Sequence, residues 1–60
     1  AGQIEPNNYQ VSHELGITYM KQHRYEKAII AFQKALKILP DAVQTQNNLM
    51  VAQARSAKNR

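Results

Sequence analysis

Shifted by 34 residues, the chain overlaps with itself. Ala1 falls on Ala35, Ile4 on Ile38, Pro6 on Pro40, Gln10 on Gln44 and Leu15 on Leu49. Conservative pairs fall in the same register: Asn7 with Asp41, Ile17 with Val51, Lys21 with Arg55 and Arg24 with Lys58. Nothing else in the 60 residues restricts the fold as tightly. A period of this size marks supersecondary units that stack because one unit alone cannot bury its apolar face. The two prolines then mark the same corner of the structure, one period apart.

The apolar pattern inside the period is helical. Tyr9, Val11, Leu15, Ile17, Thr18, Tyr19 and Met20 place a first helix from Tyr9 to about Gln22, with Pro6, Asn7 and Asn8 read as a turn and helix start. Lys21-Gln22-His23-Arg24 interrupts the pattern and reads as a short loop. Tyr25, Ala28, Ile29, Phe32, Ala35, Leu36 and Leu39 then follow the spacing of one helix face, predicting a second helix over 25–39. Pro40 ends it, because proline lacks an N–H and pushes the residue before it out of the helical region. Asp41 is the expected N-cap of a third, more polar helix fraying into Lys58-Asn59-Arg60. No strand candidate competes. The fold class predicted is all-α: an antiparallel helix–turn–helix hairpin plus a third, capping helix.

One residue breaks the local rules. Gly16 lies inside the first helix, where glycine costs about 1 kcal/mol against alanine. The cost is offset where the missing side chain lets a second helix come close. Gly16 is therefore expected to face the small Ala28 of the returning helix, with Leu15, Tyr19, Ile29, Phe32 and Leu36 buried between the two.

Leu15-Gly16 followed by Tyr19, then Ala28 and Phe32, then Ala35 and Pro40, resembles the tetratricopeptide repeat, whose units are 34 residues long. The resemblance implies one complete repeat over 9–42, the end of a preceding repeat or a linker over 1–8, and a capping helix with a basic tail over 43–60. Ser12, Met50 and Gln53 depart from the family pattern, and the last two suit a terminal helix. The family's fold and use as a protein-binding scaffold are the corresponding expectations. Some members clamp the carboxylate tail of a chaperone through Lys and Asn on the first helix. His13 and Ile17 stand at those positions here, so no such tail is expected as a ligand.

Composition removes several alternatives. There is no cysteine, so no disulfide staples this small chain. His13 and His23 are ten residues apart without a supporting carboxylate pattern, and no metal or other cofactor is expected. Ser12 and His13 are adjacent and diverge on a helix, and Glu14 and Glu26 are single carboxylates, so no catalytic constellation is assembled. No apolar run approaches the roughly 20 residues that span a bilayer, and no membrane partner is expected. The formal charge of +4 favours an acidic partner. Lys27, Lys34 and Lys37 give the second helix a basic outer face, but Tyr25 and Phe32 point to the core rather than offering stacking platforms, so no nucleic-acid partner is expected.

Binding is expected on the concave face, which stacked hairpins line with their first helices. Gln10, His13, Ile17, Met20 and Lys21 share one stripe of the first helix, continued by Arg24. Asn47, Asn48, Val51 and Arg55 lie on the matching stripe of the third, with Gln44 and Ala54 beside them. Amides serve a peptide backbone, Ile17, Met20 and Val51 an apolar side chain, and Lys21 and Arg55 an acidic group. Ile30, Leu39 and Met50 are apolar but off the core stripe. They point to a neighbouring repeat or to another copy of the chain. Since about three repeats are usually needed for stability, the chain is expected to be part of a longer array or to form a homo-oligomer. The alternative to a binding module is a structural, self-associating or minimal designed repeat without a ligand.

Overall fold

The computed structural model describes residues 6–58, with side chains from residue 8 onward. It is all-helical over that range: α1 spans Pro6–Lys21, α2 Tyr25–Ile38 and α3 Val43–Lys58. Of residues 1–8, expected to end a preceding unit or form a linker, 1–5 lie outside the described residues, as do 59–60 of the basic tail, while Pro6 to Asn8 belong to α1 instead.

The first helix begins at Pro6, three residues before the expected start at Tyr9. The reason is local: proline is tolerated in the first turn, where its missing N–H has no intrahelical acceptor to lose. The helix ends in a Schellman turn. The Arg24 N–H donates to the Tyr19 carbonyl at 2.8 Å and the His23 N–H to the Met20 carbonyl at 3.0 Å. His23 takes the left-handed conformation the turn demands, with φ of 62°. That position is usually glycine or asparagine. The His23 ring contributes otherwise: its Nδ1 shares a 2.7 Å hydrogen bond with the Tyr25 hydroxyl.

The Tyr25–Ile38 helix follows its predicted stripe, and Tyr25, Ala28, Phe32 and Ala35 are all buried. Glu26 in its first turn and Lys37 in its last complement the helix dipole. Leu39 caps it with its N–H on the Ala35 carbonyl and a φ of −132°, the extended geometry imposed by Pro40. The third helix starts at Val43, so Asp41 is not its N-cap. A turn closed by the Ala42 N–H on the Leu39 carbonyl occupies residues 39–42. The Ala42 carbonyl then accepts the first helical bond, from the Gln46 N–H at 2.9 Å.

Packing makes an antiparallel α1–α2 hairpin with α3 laid mainly against α2. Ala28, Phe32 and Ala52 form the fully buried centre, and Ile17, Tyr19, Met20, Ile29 and Leu49 pack around it. Burying a phenylalanine contributes up to about 3 kcal/mol, a large share for so small a core. The glycine expectation needs one correction. A Cβ at Gly16 would lie 2.5 Å from Cε1 of Phe32, so the aromatic ring, one turn beyond Ala28, fills the space over the glycine. Leu15 is a second correction, being 45% exposed rather than buried. It sits on the flank of α1 turned away from α3, and the hairpin closes through Gly16 beside it. Tyr19, Ile29 and Leu36 are half-buried.

Candidate peptide-binding groove

Because α1 and α3 are one period apart, they run in the same direction and bring equivalent positions side by side. Lys21 and Arg55 are such equivalent positions, and both border the same depression. Ile17, Met20 and Lys21 of α1 and Asn48 and Arg55 of α3 line one open depression, floored by Tyr25 and Phe32 of α2. Five of the nine residues predicted for the concave face therefore meet around a single hollow. Its walls combine apolar area from Ile17 and Met20, an amide from Asn48, and two cations, over the buried rings of Tyr25 and Phe32. No carboxylate lines it. Lys21 and Arg55 are exposed and sit in the last turns of their helices, where their charge also opposes the negative dipole end.

The remaining four predicted residues are placed differently. Gln10 is exposed and donates from Nε2 to the Glu14 carboxylate at 3.3 Å. Asn47 is exposed and Val51 is 39% exposed, both outside the lining of the hollow. His13 is turned into the α1–α3 seam. Its Nδ1 lies 2.8 Å from the Thr45 hydroxyl, which also bonds the Tyr9 hydroxyl at 2.8 Å. The Tyr9 and His13 rings stack, and His13 also meets the Phe32 ring at a tilt.

Thr45 itself is fully buried, and its hydroxyl has two hydrogen-bond partners, so the polar group carries no unmet desolvation cost. Among the described residues no buried side-chain polar atom lacks a partner. Sequence reasoning missed Thr45. Its signal was the 34-residue offset, which sets this hydroxyl against Val11, while Tyr9 and His13 one turn apart supply two polar ring groups on one helix face. Tyr25 and Phe32 were expected as core and are core; their position beneath the hollow was not foreseen.

Among the described residues, no helix is long and apolar enough to cross a membrane, and no cluster of three metal-ligating side chains occurs. Neither the curated proteins nor the solved structures yield a match to this chain. Residues 9–42 match the family model for the tetratricopeptide repeat, the span given by the 34-residue period and more than half of the chain. Repeats of this family generally mediate protein–protein interaction, and its members are typically non-enzymatic scaffolds. With the hairpin, the glycine contact and the family match in agreement, the chain belongs to the tetratricopeptide-repeat family.

Proposed function

We infer that this chain is a non-catalytic interaction module whose α1–α3 groove holds an extended peptide segment of a partner protein. An acidic group of the peptide sits against Lys21 and Arg55, an apolar side chain against Ile17 and Met20, and the Asn48 amide bonds the peptide backbone. Gln10, Asn47 and Val51 extend the same face beyond the hollow. His13 holds α1 to α3 rather than touching the ligand. The observation that carries this reading is the convergence of two cations and two apolar side chains on one hollow without a carboxylate.

A fluorescein-labelled peptide with two glutamates flanking a leucine tests it by anisotropy. Exposed charge contacts contribute about 0.2–1 kcal/mol each, so changing both Lys21 and Arg55 to alanine weakens binding by about tenfold. The helical circular dichroism stays unchanged. Equal affinity of parent and variant would remove the groove from consideration.

Self-association without a ligand is the second reading, favoured by the exposure of Leu39 at 47% and Met50 at 63%. Sedimentation over a range of concentrations separates the two, because a strict monomer at all of them ends it.

A further inference from the structure

The α1–α3 hollow sorts its lining by chemistry along its length. Ile17 and Met20 of α1 are half-buried and apolar, and Lys21 closes the last turn of that helix. Arg55 lies in the last turn of α3, which runs the same way, so the two cations stand at one end of the hollow. Ile17 precedes Lys21 by four residues, about 6 Å of helix at a rise of about 1.5 Å per residue. No carboxylate in the lining balances the two cations, and the half-buried Asn48 adds an amide donor group beside them. Among the described residues, Lys21, Asn48 and Arg55 spend none of these donors on a side-chain hydrogen bond or ion pair.

Charge and length together narrow the ligand. One carboxylate neutralises one of the two cations. A phosphoryl group carries about −1.5 to −2 charges at pH 7 and three acceptor oxygens, enough for Lys21, Arg55 and Asn48 at once. Arginine also matches phosphate oxygens with two parallel hydrogen bonds. An apolar body must precede that group to cover Ile17 and Met20, and an aromatic ring is a favourable neighbour for a thioether. Phosphoserine lacks such a body, since its phosphoryl group follows Cβ and one oxygen. The hollow, at about 360 Å³, is at the lower end of the range for ligand sites, room for one large side chain. We propose, on the peptide-groove reading above, that the hollow takes a single phosphotyrosine side chain of a partner protein. Its ring lies on Ile17 and Met20, and its phosphoryl group sits between Lys21 and Arg55. Binding then depends on the phosphorylation state of the partner.

The test is fluorescence anisotropy of the whole chain with four labelled peptides, Ser-Ala-Ala-X-Ala-Ala-Ser, where X is phosphotyrosine, tyrosine, phosphoserine or glutamate. The phosphotyrosine peptide is expected to bind at least about tenfold more tightly than each of the other three. Changing both Lys21 and Arg55 to alanine lowers it to the level of the tyrosine peptide. Asn48→Asp, which puts a carboxylate into the hollow at nearly constant shape, weakens it by at least about tenfold with unchanged helical circular dichroism. The proposal is overturned if tyrosine or glutamate serves as well, since the dianion is then not read. It is overturned equally if phosphoserine matches phosphotyrosine, if the preference survives loss of Lys21 and Arg55, or if inorganic phosphate competes as well as the peptide. A Glu-Leu-Glu peptide that depends on Lys21 and Arg55, with no preference for phosphotyrosine, would remove this proposal and leave the groove standing. No binding of any of these peptides would remove both.

Discussion

The ring of Phe32 occupies the space that a side chain at Gly16 would need. A Cβ there would lie 2.5 Å from Cε1 and 2.7 Å from Cδ1 and Cζ. Phe32 is fully buried, so a Cβ at Gly16 forces its ring to shift within the core. Gly16→Ala adds helix propensity of about 1 kcal/mol, but overpacking costs typically about 1–3 kcal/mol. The net expected is a loss of up to about 2 kcal/mol, measured by urea unfolding. Gly16→Leu should abolish the folded state. Gly16→Ala combined with Phe32→Leu should recover part of the loss, because the two residues share one space.

Met50 is the 34-residue counterpart of Gly16 and should behave in the opposite way. It is 63% exposed, with no ring above it. Met50→Ala is therefore expected to change stability by less than about 0.5 kcal/mol, as at ordinary surface sites. Met50→Gly should cost about 1 kcal/mol through helix propensity alone. Thermal unfolding of both variants checks the pair.

Thr45 ties α3 to α1 through Tyr9 and His13. Thr45→Val keeps the shape and removes both hydrogen bonds, leaving two half-buried partners to find water. A loss of about 1–2 kcal/mol follows, and the amide-exchange protection of α3 should fall with it. Unchanged stability would show that the hydroxyl network contributes nothing.

His23 supplies a left-handed residue and a hydrogen bond to Tyr25. The left-handed conformation costs a non-glycine residue about 1–2 kcal/mol. His23→Gly relieves it and His23→Ala does not, while both lose the side-chain bond. His23→Gly should therefore be the more stable of the two by about 1 kcal/mol, read from denaturant midpoints at constant slope.

Much of this architecture was legible in the residue pattern, for physical reasons that can be named. The 25–39 stripe has a sharp apolar face, and Pro40 can only end a helix, so α2 came out within one residue at its end. The repeat offset makes Lys21 and Arg55 equivalent positions on the first and third helices, and both border the hollow. What escaped was decided by tertiary context. Leu15 and Tyr19 lie one turn apart, yet Leu15 is exposed and Tyr19 half-buried, because α2 passes over Gly16 rather than over the stripe's nominal centre. Asp41 is a good capping residue, but the turn through Pro40 consumes it before the helix begins. His13 shares a stripe with Ile17 and Met20, and only the presence of Thr45 across the seam turned it inward. Helix periodicity gives the face of a residue but not the partner that it meets there.

The most direct test of the groove is an amide footprint of the unlabelled Glu-Leu-Glu peptide on the isotope-labelled chain. Binding between α1 and α3 predicts that the largest shifts fall on Ile17, Met20, Lys21, Asn48 and Arg55, and that they shrink as salt is raised. Shifts absent from these residues at saturating peptide, or concentrated on α2's outer face, would contradict the account.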